Sequence, residues 1–243
     1  MKKTFLLMAA VAATCVAGAA EKPIVVFTFD DGALEHYRDV APILEKYGFR
    51  GTFNLITDAT DHNNAAGWFM SWDQVRELTK RGHAFESHTV THPNLEELWR
   101  KGETNEIRRQ VAESRDRIAQ QTGVRPVLLC HPYCARTNGV DAIIREEGLV
   151  PMDWHRNNFG LGTKPGDVAK FVAERSAKGE KIVDLLVHGV NKNGGAWHPF
   201  DSPAHFEEFV KEVKDLVDKG EIRCMLYRDA VRPAKKQASP PRS

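Results

Sequence analysis

The strongest constraint on the fold of this chain is a regular alternation of strand-like and helix-like segments. Short runs rich in β-branched and aromatic residues recur at 24–29, 51–56, 83–87, 126–130, 149–153, 182–187 and 222–226, each joined to the next by a segment long enough for a crossover helix. That makes seven β/α units. No repeat, linker or composition break divides residues 21–229, and a single α/β barrel commonly takes about 200 to 250 residues. The sequence therefore predicts one α/β domain, a closed or nearly closed parallel barrel with its chemistry at the C-terminal strand ends.

The helical segments carry their own ends. Ser71 with Gln74 forms a capping box ahead of Val75 and Leu78, and Gly82 stops that helix. Ser202 caps the last long helix, Pro203 opens it, Phe206, Phe209, Val210, Val213, Leu216 and Val217 form its apolar stripe, and Gly220 ends it. A narrower stripe of Ile107, Val111, Ser114 and Ile118 fits a helix on the outside of a barrel. Pro42 is expected to start the first helix, which ends at Gly48. Trp68, Trp72 and Trp99 read as packing residues.

Residues 1–20 stand apart. Lys2 and Lys3 precede an apolar run at 5–16, and small residues follow at 17–20, the pattern of a secretory signal. Cys15 follows Ala12-Ala13-Thr14, a poor lipid-attachment context, so soluble export to the periplasm or beyond is expected. Residues 230–243 form a basic tail that reads as solvated and poorly ordered. Between them, 28 basic residues face 33 acidic ones, which argues against a nucleic-acid surface. The apolar share of 42% and charged share of 28% are those of a soluble globular protein. Cys130, Cys134 and Cys224 have no staple-like spacing and are expected to be free thiols.

Polar residues gather at the predicted strand ends: Asp30-Asp31-Gly32 after the first strand, His88 and His92 after the third, Pro132-Tyr133 after the fourth, Asp153-Trp154 at the fifth and His188 after the sixth. Each has a bland explanation alone, but a turn does not require two adjacent carboxylates at the mouth that also receives two histidines. His88 and His92, four apart, point the same way if they share a helical turn, and one carboxylate completes a three-ligand metal site. Two adjacent aspartates cannot serve one ion with the same geometry, so one binds metal and the other takes a proton, while His188 returns a proton. Activated water, a carboxylate base and a histidine acid are the parts needed to hydrolyse an amide or ester.

TFDDG at 28–32, HTVTHP at 88–93, Pro132-Tyr133 and the 185–188 stretch ending in His188 resemble the polysaccharide deacetylases, carbohydrate esterase family 4, also called the NodB homology domain. The resemblance implies a distorted (β/α)7 barrel over 21–229. It implies Asp30 as general base, Asp31, His88 and His92 as metal ligands, and His188 as general acid. It further implies the Tyr133 backbone N–H at the oxyanion, and Leu186 and Trp154 lining the acetyl pocket. The divalent ion is expected to be Zn2+, with Co2+ or Ni2+ also suited to two His and one carboxylate. The implied partner is an acetylated polysaccharide or oligosaccharide.

One departure stands out. The family often has Arg-x-Pro-Tyr where this chain reads Cys130-His131-Pro132-Tyr133, so the Arg that braces the base is absent and His131 becomes the candidate brace. Asp153 is a candidate to orient His188. Trp197, in the Gly-rich segment 194–200, reads equally as a buried anchor or a sugar-stacking residue. The expected function is an exported, metal-dependent deacetylase of a glycan. The alternatives are an O-acetyl esterase on a xylan-like substrate and a catalytically silent glycan-binding barrel.

Overall fold

The computed structural model describes residues 21–62, 67–152, 166–191 and 200–231. Its seven strands are β1 (Ile24–Phe29), β2 (Thr52–Leu55), β3 (Ala84–Ser87), β4 (Leu128–Leu129), β5 (Val150–Pro151), β6 (Ile182–Val187) and β7 (Arg223–Cys224). All pairings are parallel, in the order β5-β4-β3-β2-β1-β6. Strand β7 shares an edge of β1 with β2: Ile24 pairs with Arg223 at one end, and Thr28 with Thr52 at the other. Among the described residues no ladder joins β5 to β6, where Val150, Pro151, Ile182 and Tyr227 border a cavity of about 300 Å³. The curled sheet is the distorted (β/α)7 barrel that the seven-unit pattern and the resemblance imply.

The helices α1 (Ala41–Lys46), α2 (Thr57–Asp61), α3 (Trp72–Lys80), α4 (Leu95–Arg100), α5 (Thr104–Thr122), α6 (Asn138–Glu146), α7 (Asp167–Ala177), α8 (Pro203–Asp218) and α9 (Tyr227–Ala230) fill the connections. Ser71 and Gln74 form the expected reciprocal cap on α3, and Ser202 accepts from the His205 N–H at the start of α8. The first connection corrects the reading of Pro42. It lies in the first turn of α1, but the helical path begins earlier, in a π turn over His36–Val40 that closes with Ala41 N–H donating to the His36 carbonyl. Proline has no N–H to give, so a wider turn before it forfeits nothing.

Strand alternation divides the core into two shells. On β1, Val25, Phe27 and Phe29 face outward; the Phe27 ring meets Phe209 at 6.3 Å and the Phe29 ring meets Phe206 at 6.0 Å, both from α8. Val26, Thr28 and Asp30 face the barrel interior, where Val26 packs with Leu128, Cys130, Met152 and Tyr227. Deeper in, Arg228 of α9 donates to Glu86 Oε1 at 2.7 Å, while Glu86 Oε2 accepts from the Val127 and Leu128 N–H groups at 2.8 and 2.9 Å. The Val127 and Leu128 amides thus bond a side chain and not a neighbouring strand, and β4 is shorter than the predicted 126–130. The three described cysteines are free, as expected. No helix among the described residues is long and apolar enough to cross a membrane.

Candidate active site

The site begins where β1 ends. Asp30 continues the interior parity of Val26 and Thr28 and is buried, whereas Asp31 adopts a left-handed φ of 73° and is partly exposed. Gly32 follows with φ 77°, and a Cβ there would lie 2.7 Å from Leu55 Cδ2, so only glycine closes this turn. The two adjacent carboxylates thus differ in backbone conformation and burial, as a division of roles requires.

His88 and His92 converge, though by a different route from the expected helical turn. The 88–94 segment is a loop in which Thr89 and His92 have φ of 71° and 59°. Thr89 Oγ1 accepts from the His92 N–H at 3.0 Å, and the buried Gln110 of α5 accepts the N–H groups of Val90 and Thr91, each at 3.0 Å. This brings His92 Nε2 to 3.1 Å from His88 Nε2, with Asp31 Oδ1 at 3.7 and 3.6 Å from the two nitrogens.

The chemistry of these three atoms calls for a cation. His88 Nδ1 lies 2.8 Å from the Cys130 carbonyl, which can only accept, so Nδ1 carries the proton and Nε2 offers a lone pair. Asp31 Oδ1 is buried with no hydrogen-bond partner. Burial, reinforced by His88, pulls the His92 pKa down to about 4, so its ring is neutral at ordinary pH. Metal–ligand bonds of about 2.1 Å in a tetrahedron give ligand–ligand edges near 3.4 Å, close to the three separations above. Asp31, His88 and His92 can therefore hold a divalent ion.

Asp30 sits on the inner side of this cluster. Its Oδ2 is 3.9 Å from His88 Nε2 and 3.8 Å from His188 Nε2, and its Oδ1 accepts from Asn54 Nδ2 at 2.7 Å. The Cys130 thiol, where the family often has Arg, approaches Oδ2 at 3.5 Å. Burial raises the Asp30 pKa, but His88, His188 and the hydrogen bonds from Asn54 and Cys130 outweigh it and hold the carboxyl below its ordinary value. Burial and the Asp30 charge push the Cys130 thiol well above its ordinary value, so it stays a neutral donor.

The expectation that His131 braces Asp30 does not hold. Its Nε2 bonds Asp141 Oδ1 at 2.9 Å, in a cluster with Arg136, and burial lowers its pKa to about 4, so it presents no cation to Asp30. Asn54, which sequence reasoning missed, occupies that place. Leu186 lies half-buried two residues before His188 on the same face of β6, and Tyr133 is exposed with its ring 4.6 Å from that of His92. Asp153, Trp154 and Trp197 lie outside the described residues. Of the other tryptophans, Trp72 donates to Asp61 and Trp99 covers Gly139. Trp68 contradicts the packing expectation. Its carbonyl accepts from the Leu34 N–H at 2.8 Å, which ties the segment to the Asp31 turn, and the residue is 72% exposed.

Strain is concentrated in these loops. The described non-glycine residues with positive φ are Asp31, Thr89, His92, Tyr133 and Cys134, all within the site or its border. Each such conformation costs on the order of 1–3 kcal/mol and persists where surrounding contacts impose it.

Residues 17–152 match the polysaccharide deacetylase family. The peptidoglycan-N-acetylglucosamine deacetylase PgdA of Listeria monocytogenes is 26% identical over 149 residues, 58% of this chain and 28% of PgdA. A chitin deacetylase of Arthroderma benhamiae is 27% identical over 141 residues, 58% of this chain and 34% of that one. The chain thus spans about a third of the length of these relatives. Among solved structures, peptidoglycan deacetylase PdaC of Bacillus subtilis shares the fold with a TM-score of 0.57 at 18% identity, over 86% of this chain and 90% of that one.

Proposed function

Since the chain belongs to the polysaccharide deacetylase family, we propose that it is a metal-dependent hydrolase that removes acetyl groups from a glycan. The observation that carries this reading is the meeting of three candidate ligand atoms, from Asp31, His88 and His92, beside the Asp30 carboxylate, which in turn lies 3.8 Å from His188 Nε2. A divalent ion held by those three side chains supplies Lewis acidity and lowers the pKa of water. Zn2+ suits the ligand set, and Co2+ or Ni2+ are the alternatives.

The chain's own residues do the rest. Asp30, ionised and held by Asn54, takes the proton of the attacking water. The Tyr133 backbone N–H donates to the oxyanion that develops on the acetyl oxygen. His188 then gives a proton to the leaving nitrogen or oxygen, and Leu186, with Trp154, borders the acetyl methyl. Residues 1–20 direct export, which brings the enzyme to extracellular or periplasmic glycans.

Acetate release from defined N-acetylated and O-acetylated oligosaccharides, before and after chelation, tests the proposal. Release that stops on chelation and returns with Zn2+ or Co2+ supports it. Release confined to O-acetyl xylan-type substrates makes the chain an esterase with the same residues. Absence of release from every substrate, with glycan binding retained, makes it a silent barrel, the reading that the Cys130 replacement favours.

A further inference from the structure

The loop that follows β6 and bears His188 is tied to the segment after Asp31 by contacts that the reaction above does not use. His36 Nε2 lies 2.8 Å from the His188 carbonyl, which can only accept, so His36 donates and its Nδ1 carries the lone pair. That Nδ1 is buried without a hydrogen-bond partner. The ring is stacked on Phe53, with centroids 5.5 Å apart, and tilted against Phe29 at 5.6 Å. Burial keeps its pKa below the ordinary value. One residue earlier, Glu35 Oε2 accepts from the Val190 N–H at 3.1 Å and from Asn191 Nδ2 at 2.7 Å. Asp39 reaches the same Asn191 nitrogen at 3.4 Å.

A phenylalanine would fill the slot between Phe29 and Phe53 without an orphaned nitrogen, so packing alone does not account for a histidine there. We propose that His36, with Glu35, is a clasp that fixes His188 over Asp30, making both positioning residues for the proton donor. The π turn at His36–Val40 serves this end, since Glu35, His36 and Asp39 all reach one four-residue loop, 188–191. The carbonyl held by His36 belongs to the residue whose ring delivers the proton, so its loss lets the imidazole drift from its position 3.8 Å from Asp30 Oδ2.

This inference rests on His188 acting as the general acid, and the test separates the two ideas. An N-acetyl amide needs its leaving nitrogen protonated, whereas para-nitrophenyl acetate expels a stable phenolate without a proton. The quantity read is the ratio of amide to aryl-ester turnover in metal-loaded enzyme, with metal content measured alongside. His188→Ala should lower that ratio by about 10² or more. His36→Phe should lower it by about ten-fold or more at full metal content, and His36→Gln, whose Nε2 can donate in the same place, should restore most of it. Glu35→Gln provides a second variant with a smaller fall in the same direction, should His36→Phe not fold. Equal losses on both substrates, or an unchanged ratio, in His36→Phe and Glu35→Gln would overturn the clasp. An unchanged ratio in His188→Ala would instead overturn the acid assignment.

Discussion

Asn54→Leu isolates the support of the base. Among the described residues the Asp30 carboxylate has one hydrogen bond of ordinary length from a side chain, the 2.7 Å contact from Asn54; Cys130, His88 and His188 stand at 3.5 to 3.9 Å. A hydrogen bond to a charged group contributes about 1.5–3 kcal/mol, which corresponds to roughly 10- to 150-fold at 1.4 kcal/mol per factor of ten. Leucine keeps the volume and removes the donor, leaving Asp30 free to rotate from the line of attack or to take up a proton. Stability should change little, because Asn54 Oδ1 is already buried without a partner and its removal offsets part of the loss. Asn54 touches none of the three metal-binding atoms, so metal content should stay complete. The assay is kcat for acetate release, with metal analysis and urea denaturation on the same preparation. A rate within two-fold of the parent at full metal content would refute the claim that a neutral amide has replaced the arginine brace.

The remaining expectations follow from the same geometry. Asp30→Asn should retain metal and lose about 10² to 10⁴ in rate, whereas Asp31→Asn should lose metal itself; metal analysis showing the reverse would exchange the two roles. His88→Ala and His92→Ala should each lower both metal content and rate, and a variant of either with full metal would remove that ring from the ligand set. Asp184, buried and bonded to Thr28 Oγ1 at 2.6 Å, has its pKa raised to about 8 by burial. The folded state then keeps a proton that the unfolded chain loses near pH 4, so stability falls as pH rises from about 4 to 8. Asp184→Asn has no proton to lose, and its advantage in urea denaturation should grow by up to about 1.4 kcal/mol per pH unit across that window; parallel stability curves would refute it.

How far the site could be read from sequence depends on which physical rule places each residue. Alternation along β1 sets Thr28 and Asp30 inward from Phe27 and Phe29, and strand-end logic gathers His88, Tyr133 and His188 at the same mouth. The same rule, applied to 128–131, argues against His131 as a brace: Leu128 and Cys130 face the interior, so His131 faces away, toward Asp141. That error was avoidable from the sequence. Asn54 was not, because its role arises from register. With Thr28 opposite Thr52 and Phe29 opposite Phe53, the next position along sets Asn54 level with Asp30, and a parallel register is decided by packing between elements far apart in the chain. The two histidines lie between these cases. Their spacing of four suggested convergence through a helical turn, yet the convergence comes from left-handed backbone at Thr89 and His92, held by Gln110 from a helix nearly twenty residues on. Non-glycine residues enter that conformation only under external support, so no local pattern in HTVTHP announces it. The spacing points to the candidate ligands; the tertiary contacts supply the geometry that brings them together.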